Sequence, residues 1–162
     1  MIEKEEKNNQ LPLVVICGRT NVGKSTLFNC LSERRQALVS DIAGTTRDSN
    51  LGKVEWGGSA FDLVDTAGLL NYRYLENPKI TGRDIDSQTQ KQALYYLDRA
   101  DLILFIVDTK AGLLPEDKSL ADSLKKNSLY RSKTLLLANK VDSFKLASEA
   151  ALFNKLGLGE PK

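Results

Sequence analysis

Two kinds of apolar pattern alternate along the chain. Residues 13–17, 102–107 and 134–138 are short, nearly unbroken apolar runs with polar residues on either side. Such runs suit strands buried on both faces of a parallel sheet. Residues 25–35, 84–100, 115–126 and 143–156 instead space their apolar positions at helical intervals; in 84–100 these are Ile85, Ala93, Leu94 and Leu97. Pro115, followed by Glu116 and Asp117, marks a helix start, because proline and acids favour the first turn. Residues 50–56 and 60–64 flank Gly57-Gly58, which predicts an antiparallel hairpin. Strands alternating with helices predict an α/β fold with a mostly parallel sheet, one antiparallel strand and covering helices.

Between the first strand and the first helix stands Gly18-Arg19-Thr20-Asn21-Val22-Gly23-Lys24-Ser25, a G-x-x-x-x-G-K-S spacing. A strand, a glycine-containing turn and a helix N-terminus together cradle phosphate. Gly18 and Gly23 let the backbone wrap closely, so that the N–H groups from Asn21, Val22, Gly23, Lys24, Ser25 and Thr26 are candidates to face an anion. Lys24 adds a point charge for the outer phosphates, and Ser25 a hydroxyl for Mg²⁺. The plainer alternative is a glycine turn with an exposed lysine.

Three further polar segments lie in order along the chain. Asp65-Thr66-Ala67-Gly68 follows a predicted strand; Asp65 can hold a Mg²⁺-bound water, and the Gly68 N–H can approach a terminal phosphate. Asn139-Lys140-Val141-Asp142 follows another. A carboxylate accepts two hydrogen bonds side by side, and guanine, unlike adenine, offers N1–H and N2–H₂ as adjacent donors. Asp142 is therefore the candidate guanine reader, with Asn139 bracing the loop and the Lys140 stem covering the base. Taken alone, the segment reads equally well as a helix cap by Asp142; the phosphate cradle supplies the context that favours guanine. Gly44-Thr45-Thr46-Arg47-Asp48 sits in a stretch with few apolar anchors. A threonine there, Thr46 in preference to Thr45, can ligate Mg²⁺ only while a γ-phosphate is present, giving an order–disorder switch; the alternative is an ordinary polar loop. Ligands of open α/β sheets bind beyond the carboxyl ends of the strands, so these segments are expected to converge.

Composition narrows the rest. The chain has 162 residues, 41% hydrophobic, enough for one packed core, with a net charge of +2. That balance is too weak to argue a general nucleic-acid or membrane surface, and no apolar run reaches the ~18 residues of a membrane span. There is no histidine, which excludes histidine bases and ligands. Cys17 and Cys30 lack metal spacing and read as small buried residues in a reducing, cytoplasmic setting. Residues 1–10 read as a disordered lead-in, and 11–162 as one domain.

Together the four segments resemble the translation-factor-type P-loop GTPases. The stretch from Gly18 through Thr26, Leu27, Phe28 and Asn29, with Gly44-Thr45-Thr46-Arg47-Asp48, is similar to their Era-like branch. Residues 61–69, 106–117 and 153–159 resemble the Der (EngA) family, bacterial GTPases with two tandem G domains implicated in assembling the large ribosomal subunit. The resemblance covers roughly residues 11 to 160. It implies a Ras-like three-layer sandwich and a switch that hydrolyses GTP to GDP with Mg²⁺, with the ribosomal large subunit as partner of the whole protein. It further implies that the last guanine-contacting loop, the sixth strand and the last helix fall outside these 162 residues. Residues 134–138 would then form an apolar edge prone to self-association. Leu69 stands where many small GTPases carry a water-orienting glutamine, so slow turnover is expected. The resemblance implies a substitute, a K⁺ ion held partly by Asn21; the other reading of Asn21 is a loop residue tolerating an unusual backbone angle. The implied catalytic set is Lys24, Asn21, Thr46 and Gly68. Arg19 and Arg47 read as solvated surface. Alternatives are a nucleotide-dependent binding module with little hydrolysis, an Era-like GTPase of the tRNA-modification type, and an ATP-using P-loop kinase, against which Asp142 argues.

Overall fold

The computed structural model describes residues 11–36, 51–66 and 85–162. Thr45, Thr46 and Arg47, with Gly68 and Leu69, lie outside the described residues, as do residues 1–10.

Five strands form one sheet in the order β2-β3-β1-β4-β5. They are β1 (Leu13–Cys17), β2 (Leu51–Trp56), β3 (Ser59–Asp65), β4 (Leu102–Asp108) and β5 (Thr134–Asn139). β1 pairs in parallel with β3 on one side and β4 on the other; Val15 lies opposite both Val64 and Ile103. β5 extends the sheet in parallel from β4, with Asp108 opposite Asn139. β2 is the antiparallel strand, and it turns into β3 through Gly57 and Gly58, whose φ angles of 55° and 78° are those a tight I′ hairpin demands.

Helices α1 (Lys24–Gln36), α2 (Ile85–Arg99), α3 (Pro115–Lys126), α4 (Ser128–Lys133) and α5 (Phe144–Ala150) connect and flank the strands, and a 3₁₀ turn spans Ala151–Leu156. Alternation within each strand divides the core between the two faces of the sheet. On one face Val15, Cys17, Ile103, Phe105, Val107 and Leu136 meet Leu97 of α2, Leu120 and Leu124 of α3, and Phe153 and Leu156 of the 3₁₀ turn. On the other, Val14, Ile16, Leu63 and Ile106 lie with Leu27, Phe28 and Leu31 of α1. Phe105 and Phe153 are fully buried, each contributing about 1.5–3 kcal/mol relative to exposure.

The structure departs from the sequence pattern in four places. The helix expected over 143–156 divides in two: α5 buries nothing, whereas Phe153 and Leu156, three apart, share one face of the 3₁₀ turn. A short helix, α4, was not foreseen; the Asn127 side chain starts it by accepting from the N–H groups of Leu129 (2.9 Å) and Tyr130 (3.5 Å). Cys30, expected to be buried, is exposed, because it lies on the flank of α1, about 100° round the helix from the middle of the Leu27–Phe28–Leu31 stripe. β5 is less enclosed than its apolar run suggests, with only Leu136 fully buried. Nor is its outer edge bare. The Lys162 N–H donates to the Leu136 carbonyl (3.0 Å), and the Ala138 N–H to the Lys162 carbonyl (2.9 Å), since the chain returns alongside β5 after the 3₁₀ turn.

Candidate functional site

The carboxyl ends of β1, β3, β4 and β5 lie along one edge of the sheet, and each releases one polar segment. The first runs from Gly18 to Lys24, where α1 begins. Gly18 (φ 145°) and Gly23 (φ 100°) adopt backbone angles closed to most L-residues. A β-carbon at Gly18 would collide with the Ile106 carbonyl oxygen, and one at Gly23 with the Asn139 amide. The loop is thus pressed against both β4 and the segment after β5. Val22 is buried in the α1-side core and anchors the loop. Asn21 is exposed, with φ 63°, the unusual backbone angle that asparagine tolerates.

Lys24 is buried, and its ammonium donates to the Arg19 carbonyl at 2.6 Å. Burial pulls its pKa below the ordinary lysine value, opposed by the nearby Asp65 and Cys17 and reinforced by Arg19. A buried cation with one carbonyl partner has most to gain from an anion. Beneath it, burial pushes the Cys17 thiol up to about 12, with Lys24 opposing; this is an inert core thiol.

Ser25 and Asp65, 40 residues apart, meet: the Ser25 hydroxyl donates to Asp65 Oδ2 at 2.7 Å. Thr66 holds the carboxylate in place, since both its N–H (3.1 Å) and its hydroxyl (2.7 Å) donate to the Ile16 carbonyl. Asp65 Oδ1 is buried with no hydrogen-bond partner. A hydroxyl beside a half-satisfied carboxylate fits a hydrated Mg²⁺. Among the described residues no group of three or more acidic or cysteine side chains gathers, so phosphate oxygens would have to complete such a coordination sphere.

The segment after β5 reaches back to the first loop. Asn139 donates through Nδ2 to the Val22 carbonyl (2.8 Å). Lys140, at φ 63°, donates through Nζ to the Asn21 carbonyl (2.7 Å) and to Asp108 Oδ2 (2.6 Å). Burial works against the Asp108 charge, but the Lys140 ammonium and the N–H groups of Ala111 and Lys110 together hold its pKa below the usual carboxylate range. Helix α5 is capped by Ser143, whose hydroxyl accepts from the Leu146 N–H at 3.3 Å; Asp142 stands one residue earlier. Its carboxylate is exposed and ion-paired with Lys110; that contact lowers its pKa below the usual carboxylate value, against a small opposing desolvation.

Lys24, Ser25, Asp65, Asn139 and Lys140 are therefore joined through direct contacts, and Asp142 adjoins them through Lys110. Sequence reasoning missed two contributors. Asp108, at the end of β4, accepts the Lys140 ammonium. Asp117, fully buried in the first turn of α3, lies 3.3 Å from Arg19 Nε and accepts from the Leu114 N–H at 3.0 Å. Arg19, read as solvated, instead straps the loop to α3. The apolar run of β4 ending in Asp108 was a usable signal; nothing local marked Asp117 beyond a helix start.

A mostly parallel sheet with a strand–glycine loop–helix at its central strand defines a P-loop GTPase fold. The chain belongs to the 50S ribosome-binding GTPase family, whose pattern matches residues 13–140. It is 43% identical over 151 residues to GTPase Der of Methylococcus capsulatus, covering 93% of this chain and 30% of that protein. It is 46% identical over 150 residues to GTPase Der of Caldanaerobacter subterraneus subsp. tengcongensis, covering 92% and 32%. The chain thus spans about a third of the length of these relatives, the extent of one G domain. Among solved structures it is similar to an Aquifex aeolicus Era variant bound to GDP and AlF₄⁻, with a TM-score of 0.59 and 25% identity, over 91% of this chain and 46% of that one. It is also similar to Era in complex with MgGDPNP and a 16S ribosomal RNA segment, with a TM-score of 0.61 and 25% identity, over 94% and 49%.

Gly23→Ala is expected to lower stability by about 1–3 kcal/mol and to detach the Asn139 amide from Val22. Denaturant unfolding checks the first effect. Loss of phosphate-ligand affinity in a titration checks the second; affinity equal to wild type would show that the Gly23–Asn139 contact does not shape the loop.

Proposed function

We propose that this chain is a guanine-nucleotide switch domain that binds GTP and GDP with Mg²⁺ and hydrolyses GTP to GDP and phosphate. The observation that carries the proposal is the convergence of Lys24, the Ser25–Asp65 pair and the Asn139–Val22 bond on one sheet edge. In this reading the loop N–H groups from Asn21 to Thr26 hold the phosphates, and Lys24 leaves the Arg19 carbonyl for their outer oxygens. Ser25, and Asp65 through water, would hold Mg²⁺, which supplies charge neutralisation at the transferring phosphoryl group. Thr46 would join that ion from its loop and the Gly68 N–H would meet the terminal phosphate. Asp142 reads the base, and Asn139 and Lys140 hold its loop against the phosphate cradle. The attacking water receives no side-chain base from Leu69, so turnover is slow.

Asp142→Ala should abolish the preference for guanosine over adenosine nucleotides, with GDP affinity falling about 10- to 100-fold. Lys24→Ala should weaken both classes of nucleotide. Calorimetric titration with GDP and ADP in Mg²⁺ reads both effects, and equal binding of GDP and ADP by the wild type would end the proposal.

The finer part of the reading is a potassium-stimulated reaction with Asn21 as one ligand of the ion, supported by the exposure of Asn21 on the phosphate loop. Multiple-turnover phosphate release should be faster in K⁺ than in Na⁺, and Asn21→Ala should erase the difference. Equal rates in the two salts remove the potassium role, and single-turnover release alone would favour a binding module.

We also propose the large ribosomal subunit as the partner of the whole protein, supported by the family's 50S-binding description. Co-sedimentation of the chain with isolated large subunits should depend on a non-hydrolysable GTP analogue; nucleotide-independent pelleting, or none, counts against this domain as the switch.

A further inference from the structure

Two lysines bridge the ends of β4 and β5, but they differ in what they hold. Lys140 ties the main chain of the phosphate loop to Asp108, a contact within the scaffold. Lys110 instead sits on the carboxylate that the proposed function assigns to base reading.

The placement follows from the sheet. Asp108 and Asn139 are register partners, so Lys110, two residues past the first, and Asp142, three past the second, emerge side by side. The turn that carries Lys110 is well tied down. Asp108 Oδ1 accepts from the N–H groups of Lys110 (3.0 Å) and Ala111 (3.3 Å). The Thr109 N–H donates to the Asn139 carbonyl (3.0 Å), and the Gly112 N–H to the Thr109 carbonyl (3.2 Å). The Lys110 backbone is therefore fixed near Asp142 while its side chain stays about half exposed, free to leave without disturbing the fold.

Guanine recognition by a carboxylate uses both oxygens in one plane, one for N1–H and one for the exocyclic amine. Lys110 Nζ occupies Oδ2. An ammonium seated on Oδ2 competes with the base for the lone pairs of that oxygen and for the space beside it. We propose that Lys110 is an internal competitor for the base-reading carboxylate: an electrostatic latch that guanine must displace, and so a residue that sets nucleotide affinity. The proposal rests on the assignment of Asp142 as the guanine reader. An exposed ion pair is weak and salt-sensitive, so the latch tunes affinity and does not block the site. It also holds the carboxylate away from other cations while no base is bound.

The test compares the wild-type chain with Lys110→Ala, Lys110→Arg and Asp142→Ala by calorimetry, using Mg²⁺ with GDP, ADP or inorganic pyrophosphate. At low ionic strength Lys110→Ala should bind GDP about two- to fivefold more tightly than wild type. Lys110→Arg, which keeps the charge, should stay near wild type. Pyrophosphate, which engages only the cradle, should bind equally to wild type and Lys110→Ala. In about 1 M salt, where the screening length is about 3 Å, the gain for GDP should close. GDP binding by Lys110→Ala at or below the wild-type level overturns the latch; a lower level would mean that Lys110 assists the base. Pyrophosphate affinity that rises with GDP affinity also overturns it. If Asp142→Ala loses the GDP-over-ADP preference while Lys110→Ala matches wild type, the latch alone falls. If Asp142→Ala discriminates as wild type does, the base-reading assignment falls and the latch with it.

Discussion

The hydrogen bond from the Asn139 side-chain amide to the Val22 carbonyl joins two segments 117 residues apart in the chain. Its net energy is ordinary, about 0.5–1.5 kcal/mol. Its geometric consequence is larger. The amide lies where a β-carbon at residue 23 would go, so the glycine, the loop angle and the asparagine specify one another. The first loop can wrap inward only if β5 delivers Asn139 to that spot, and β5 does so through a parallel register with β4 that runs unbroken from Ile103–Thr134 to Asp108–Asn139. A slip of one residue would turn Asn139 to the other face of the sheet. The shape of the Gly18–Lys24 loop is thus a property of the whole sheet edge as well as of its own glycines.

That edge has a topological cause. β1 has β3 on one side and β4 on the other, so the chain leaves the central strand in both directions. In open α/β sheets such a switch point opens a crevice at the carboxyl ends of the strands. Here the crevice falls where β1 ends and Gly18 begins. Lys24 and Ser25 enter it from the start of α1, Asp65 from β3, and Asp108 from β4. Asp65 and Asp108 each carry a carboxylate out of an apolar strand end, at the point where the sheet stops supplying backbone partners.

The elements around this crevice were readable from the sequence because local pattern and tertiary role agree there. The runs 13–17, 102–107 and 134–138 became β1, β4 and β5 within a residue or two, and Gly57-Gly58 made the hairpin. Ser25 and Asp65 were assigned to one site because each lies at or just beyond a strand's carboxyl end, but their direct hydrogen bond was not foreseen. What escaped was long-range or weakly patterned. No local rule connects Arg19 to Asp117 across the first half of the domain; α3 had first to pack beside β4. Helix α4 starts on a single asparagine with little apolar periodicity to announce it, and the split of 143–156 depends on where Phe153 and Leu156 find the core. Cys30 was misjudged because its helix position read as core-facing, whereas it lies on the flank of the α1 apolar stripe.

Among the described residues, five of the seven buried side-chain polar atoms without a hydrogen-bond partner lie around the same crevice, the others being Ser32 Oγ and Asp62 Oδ1. Arg19 Nη2 and Asp65 Oδ1 are buried without hydrogen-bond partners, Arg19 Nε and Asp117 Oδ1 face each other without the alignment of a good hydrogen bond, and Thr109 Oγ1 at the end of β4 is also unmatched. Each such group costs about 1–3 kcal/mol if nothing satisfies it, a large share of the stability of a domain this size. A core chosen for stability alone would not gather them at one edge; a surface set in advance to receive charge would. In the proposed function a hydrated cation at Asp65 would satisfy an oxygen that the protein itself does not. Under the proposed function, nucleotide binding would be linked to fold stability, since a ligand that binds the folded loop and not the unfolded chain stabilises the fold.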